Sequence, residues 1–129
     1  MSAEAEPVVL VDGNNVMRSR WPNIRANCLV GLTRAWADAK GVKAVIVFDG
    51  PAPRERTSGI EVFGTHDETA DDWIAREAER FFDEGDRVWL VSSDRGLRGR
   101  VEPYVERTIG GGAFVSELET LERTHRPSA

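Results

Sequence analysis

Three short runs of unbroken apolar residues, each closing on or just before an aspartate, do most to limit what this chain can become. Val8-Val9-Leu10-Val11 ends at Asp12, Ala44-Val45-Ile46-Val47-Phe48 ends at Asp49, and Val88-Trp89-Leu90-Val91 is followed by Ser92, Ser93 and Asp94. Apolarity without alternation suits a strand covered on both faces. Helical periodicity fills the intervals, so the expected class is α/β, with a mainly parallel central sheet flanked by helices in three layers. Strands are predicted at 8–12, 43–49, 60–63, 87–91 and 105–109. Helices are predicted at 23–40 and 67–84, with a helical turn at 97–101. Cys28, Leu29, Leu32, Ala35, Trp36 and Ala39 form the expected stripe of the first helix, which Gly41 ends. Trp36 and Trp89 are expected in the core. Gly110-Gly111-Gly112 reads as a turn, and Ser116 with Glu119 as the capping box of a last helix.

The length of 129 residues fits one domain that buries roughly 68% of its unfolded surface. That domain is expected over 8–123, between a flexible leader at 1–7 and a flexible tail at 124–129. One cysteine, Cys28, excludes an internal disulfide and suits a reducing cytoplasm, the expected location. No apolar stretch approaches the roughly 20 residues of a membrane span.

In an open parallel sheet, residues just past the carboxyl ends of the strands share one crevice. Asp12, Asp49 and Asp94 occupy such positions, and Asp71 and Asp72 lie near the start of the helix between the second and third runs. Unscreened carboxylates gathered there would repel by about 4 kcal/mol per close pair at an effective dielectric near 20. A hard cation removes that cost, and all-oxygen donors favour Mg2+ or Mn2+. The pattern implies a metal-dependent enzyme acting on phosphates. Acids at a helix start also complement its dipole, which accounts for Asp67 and Glu68. Asp71 and Asp72 are expected a turn further in, where that benefit fades. Angular position leaves both open, Asp71 as a ligand and Asp72 as a second ligand or an arginine's partner. Asp-Gly-Asn at 12–14 and Ser-Ser-Asp at 92–94 also have ordinary readings, as a turn and a helix cap.

A net charge of −5 argues against a nucleic-acid partner until the site acids are set against a bound cation. Of 17 basic residues only Lys40 and Lys43 are lysine, and arginine is the better bidentate partner for phosphate. Arg54 and Arg56, in the long loop after Asp49, are the leading phosphate contacts, followed by Arg18, Arg20, Arg95 and Arg98. Trp21 is a candidate base-stacking residue, with an edge-of-core position as its plainer alternative. His66 and His125 are isolated, and His66 reads as a solvated loop residue.

Val-Asp-Gly-Asn-Asn, Val-Phe-Asp-Gly, Glu-Thr-Ala-Asp-Asp-Trp-Ile and Val-Ser-Ser-Asp, in this order and spacing, resemble the NYN nucleases, in particular their YacP-like branch. The likeness runs from about Val8 through Leu121, closing on Gly-Ala-Phe-Val-Ser-Glu-Leu. It implies a PIN-like fold and a Mg2+- or Mn2+-dependent ribonuclease. RNA is the implied partner, with ribosome-associated mRNA among the candidates. Carried over by position, it assigns metal binding to Asp12, to Asp71 or Asp72, and to Asp94, while Asp49 and Asn15 line the pocket. Ser93 joins the substrate-binding set. Asn14 departs from the family, which commonly has an aromatic residue there. A phosphatase of the haloacid dehalogenase type is disfavoured, because Asn14 stands where its second aspartate belongs and no lysine follows Lys43. A non-catalytic binding module with a structural ion is the remaining rival.

Overall fold

The apolar runs become the inner strands of one sheet. Strand β1 spans Val8–Asp12, β2 Lys43–Asp49, β3 Glu61–Thr65, β4 Val88–Val91 and β5 Arg107–Ile109. In the computed structural model, which describes residues 6–54 and 59–124, the strand order is β3-β2-β1-β4-β5 and every neighbouring pair is parallel. The first three strands wind one way and the last two the other, so the topological switch falls between β1 and β4. Crevices in open α/β sheets form at such a switch.

Alternate residues of each strand face opposite layers. Val9, Val11, Ile46, Phe48 and Val91 pack under helices α1 (Gly13–Arg18), α2 (Ala26–Lys40) and α5 (Gly111–Thr124). Val8, Leu10, Val45, Val47 and Leu90 pack under α3 (Ala70–Asp83) and α4 (Arg95–Val101), which a 3-10 turn at Glu102–Tyr104 follows. Trp36 of α2 meets Phe114 of α5 edge-on at 4.9 Å, and its indole N–H donates to Glu117. Ile74 of α3 is fully buried against the sheet, and its truncation to alanine would cost about 2–5 kcal/mol. Among the described residues no helix is long and apolar enough to cross a membrane.

Several expected boundaries move. Helix α1 replaces the turn expected after Asp12, because the side chains of Asn14 and Asn15 are spent on neighbouring strand ends and leave the local backbone free to coil. Helix α2 starts at Ala26 rather than 23, and its buried face is Leu29, Val30, Thr33, Trp36 and Ala37. Cys28, Ala35 and Ala39 are exposed, since small residues carry too little apolar area to fix a helix's rotation. Helix α3 starts at Ala70, capped by the hydroxyl of Thr69, which accepts from the Asp72 amide. Asp71 and Asp72 thus lie in its first turn. Helix α5 starts at Gly111, so Ser116 sits inside it and caps nothing. A Cβ on Gly111 would lie 2.9 Å from Asn15 Oδ1, and this close approach is why glycine opens the helix. Trp89 is half-buried near the sheet edge rather than in the core. Pro7 is buried, and its carbonyl accepts from the Lys43 amide at 3.0 Å.

Candidate active site at the carboxyl edge of the sheet

Asp12 ends β1 at the switch point and is only 5% exposed. Gly13 follows directly because a Cβ there would lie 2.8 Å from the Phe48 ring. Helix α1 can therefore start flush against β2. The two asparagines then stitch three strand ends together. Asn14 Oδ1 accepts from the Asp49 amide at 2.7 Å, and Asn15 Oδ1 accepts from the Ser93 amide at 2.9 Å. Asn14 thus has a structural task at the position where the resemblance expects an aromatic ring.

Ser92 is the residue that sequence reasoning undervalued. It is fully buried, its hydroxyl donates to Asp12 Oδ2 at 2.9 Å, and the same oxygen accepts from the Asp94 amide at 3.1 Å. One hydroxyl thereby fixes the carboxylate at the end of β1 relative to the loop after β4. The signal was the Ser-Ser-Asp triplet, but nothing in it says which serine turns inward. Ser93 turns the other way: its hydroxyl accepts from the Gly111 amide at 2.8 Å and anchors α5. Asp94 caps α4 by accepting from the Leu97 amide at 3.0 Å, so the plain helix-cap role expected of this triplet is present.

Burial is the main force on Asp12 and pushes its carboxyl above the ordinary aspartate range. The Ser92 hydroxyl opposes that push, while the charges of Asp71 and Asp94 add to it. Asp71 is also raised, first by desolvation and then by repulsion from Asp94, with lesser pushes from Asp49 and Asp72 that Arg100 partly offsets. Four separate chain segments therefore share one electrostatic field. Asp72 departs from this group, being exposed and ion-paired to Arg100 at 2.9 Å. Asp12, Asp49, Asp71 and Asp94 have no ion-pair partner among the described residues.

Chemical type and position fit a hard cation: oxygen donors, uncompensated charge, one carboxylate buried. Contact geometry is looser. Among the described residues no three acidic, histidine or cysteine side chains lie close enough together to hold an ion as placed. Like-charge repulsion favours the separated arrangement seen.

Other expected contacts spread around this edge. Trp21 is 87% exposed and not the edge of the core. Arg54 is exposed beside a shallow hollow that it shares with Asn27, Pro51 and Pro53. Arg18 and Arg95 are exposed without ion-pair partners among the described residues, whereas Arg20 is ion-paired to Glu119 at 2.6 Å. His66 is exposed, as expected. Arg56 and His125 lie outside the described residues. A larger hollow of about 650 Å3 lies at the opposite edge, lined by Asp38, Gly41, Lys43 and Glu61. Shape and chemistry disagree here. Chemistry is the better guide, because an open edge suits an extended polymer better than a closed cavity does.

Known proteins bear on this geometry. Solved structures similar to this one include Rae1 (YacP) from Bacillus subtilis, with a TM-score of 0.74 at 23% identity over 91% of this chain and 76% of that one. Its W164L mutant gives 0.75 at 22% identity over 92% and 78%. The T5 D15 protein co-crystallised with metal ions aligns at 0.59 and 16% identity, over 80% of this chain and 54% of that one. At such identities the likeness is one of fold, a PIN-like single domain with its five-stranded parallel sheet between helices. No curated protein matches the chain. The family described as the YacP-like NYN domain matches residues 9–128, nearly the whole sequence, and the chain belongs to that family.

Proposed function

We propose that this protein is a divalent-metal-dependent ribonuclease that hydrolyses RNA phosphodiester bonds at the carboxyl edge of its sheet. The observation that carries the proposal is that Asp12 and Asp71 lie among like charges at this edge with no ion pair among the described residues to offset them. Each is raised by burial and by a neighbouring carboxylate, and neither has an ion-pair partner among the described residues. Perturbed, uncompensated acids at a topological switch are characteristic of working sites rather than scaffolding. Family membership supports the nuclease class, and co-crystallisation of the similar T5 D15 protein with metal ions supports metal use.

Asp12, Asp71 and Asp94 would hold Mg2+ or Mn2+, with Asp49 beside them and Asp72 kept back by Arg100. A bound ion supplies positive charge against the negative charge that builds on the scissile phosphate and the departing oxygen. The chain's own residues prepare for this. Ser92 holds the Asp12 carboxylate in one orientation, so less is lost in ordering it later. Asn15 has committed its carbonyl to Ser93 and keeps its amide hydrogens for a phosphate oxygen. Arg54 and Arg95 would take phosphates, and Trp21 would stack a base. We place the activity in the cytoplasm, where the exposed thiol of Cys28 stays reduced.

The test is cleavage of labelled RNA by the native chain and by Asp12→Asn, with Mn2+ or Mg2+, with and without chelator. Loss of cleavage in the variant and in the chelated native protein, with folding retained, is the expected result. Equal cleavage by both chains points to a contaminant and ends the proposal. Metal binding without cleavage leaves the non-catalytic module in its place.

A further inference from the structure

Helix α4 and the edge strand β5 enclose an open groove of about 480 Å3. Its walls carry Arg95, Arg98, Arg107 and Thr108, with Glu102 and Glu106 between them. Among the described residues, several other arginines of this chain are neutralised locally. Arg20, Arg76, Arg80, Arg87 and Arg100 each meet a carboxylate. Arg95 and Arg98 meet none among the described residues. Arg107 lies with its guanidinium 4.7 Å from the centre of the Trp89 ring, a stacking that fixes its plane and leaves its edge hydrogens for an acceptor. Its chain neighbour Glu106 is already engaged, accepting from Arg87 at 2.9 Å and from the Trp89 indole at 2.9 Å. With Arg87 counted, four guanidiniums face two carboxylates here, on a chain whose net charge is −5.

The groove also leads somewhere. Arg95 follows Asp94 directly and stands at the acid edge, whereas Arg107 opens β5 and stands toward the amino edge of the parallel sheet. Helix α4 is about 10 Å long, so the three guanidiniums mark a line running away from the acids.

We propose that this groove is the track for the single-stranded RNA flanking the cleavage point, with Arg95, Arg98 and Arg107 holding successive phosphates. The proposal rests on the ribonuclease reading and adds the path of the substrate. Charge rather than base identity sets the grip, so affinity is tolerant of sequence and steeply salt-dependent.

The experiment measures equilibrium binding of a fluorescent, unstructured RNA of about a dozen nucleotides in EDTA across a series of salt concentrations. It compares the native chain with Arg98→Ala/Arg107→Ala and Arg98→Lys/Arg107→Lys, each checked for native melting. Losing two single-strand phosphate contacts lowers the slope of log affinity against log salt by about 1.4, and affinity at low salt by about tenfold. The lysine pair, which keeps the charge, is expected to keep most of the slope. Native slope and affinity in the alanine pair overturn the track. Cleavage by the native chain in the metal assay would in that case leave the parent reading standing. If the native chain neither binds nor cleaves RNA, both fall together. Binding of polyglutamate but not RNA overturns the track in favour of an acidic protein partner.

Discussion

Asp71 and Asp72 are neighbours in the first turn of the same helix, near the same positive dipole end, yet they live in opposite electrical conditions. Asp72 reaches out to Arg100 and is satisfied at 2.9 Å. Asp71 turns toward the sheet, loses water, and meets the charges of Asp94 and Asp49. The helix dipole should lower the Asp71 carboxyl. That it fails to lower Asp71 means burial and like charge outweigh it at this spot. The contrast widens along α3. Its solvent face carries Glu68 with Arg76, and Arg80 between Glu77 and Glu84, each charge answered within a turn or two. One side of the helix is arranged for its own solubility and helicity. The other gathers like charges that meet no ion-pair partner among the described residues.

Separate substitutions of the two neighbours test this contrast most severely. Asp71→Asn is expected to lower kcat/KM on RNA by on the order of 10³-fold, several kcal/mol of transition-state stabilisation. Asp72→Asn loses only an exposed ion pair worth about 0–1 kcal/mol of stability, and is expected to keep activity within about threefold. Equal large losses would make Asp72 a second ligand and place Arg100 as its temporary partner. Equal small losses would remove Asp71 from the chemistry.

The next effect concerns stability without metal. Asp12 and Asp71 hold their protons more tightly folded than unfolded, because both are raised in the structure. Stability from these groups is therefore greatest below the ordinary aspartate range and declines as pH rises from there through their folded values. Asp12→Asn removes the more buried of the two charges and can still accept from Ser92. In EDTA near neutral pH it is expected to raise Tm by a few degrees, about 1 kcal/mol, and in Mn2+ to abolish the cleavage the native chain shows. Added Mn2+ should stabilise the native chain and not the variant. A variant that melts below the native chain in EDTA would mean that Asp12 serves the fold rather than the ion.

The sequence disclosed the parts of this arrangement that depend on strand polarity. Continuous apolar runs fix β1, β2 and β4, and parallel winding then puts Asp12, Asp49 and Asp94 at one edge without further information. It could not disclose features set by contacts between distant residues. Asn14 and Asn15 read as turn formers, but bonds to Asp49 and Ser93 redirect them and permit α1. The triple glycine reads as a turn, but Gly111 opens α5 because Asn15 leaves no room for a side chain. Which serine braces Asp12, and which of the adjacent aspartates is answered by Arg100, depend on rotation about local axes that periodicity resolves poorly. The position of Trp21 in solvent follows from the loop between α1 and α2, which carries no pattern at all.

The solvent face of α3 offers the smallest and most discriminating check. Glu68 is held below the ordinary glutamate range, chiefly by its hydrogen bonds from Arg76. Its sign is therefore opposite to that of Asp12: its contribution is present above the unfolded glutamate pKa and is lost as pH falls through the lower folded value. The group is partly exposed and the pair is screened by salt, so the contribution is slight. Arg76→Ala is expected to shift Tm at neutral pH by an amount near the reproducibility of the measurement, and less in high salt, with RNA cleavage unchanged. A clear fall in cleavage would show that charges on this face reach the acid edge. The two sides of α3 would then no longer be electrically separate, and the isolation of Asp71 would need another explanation than its place among the acids.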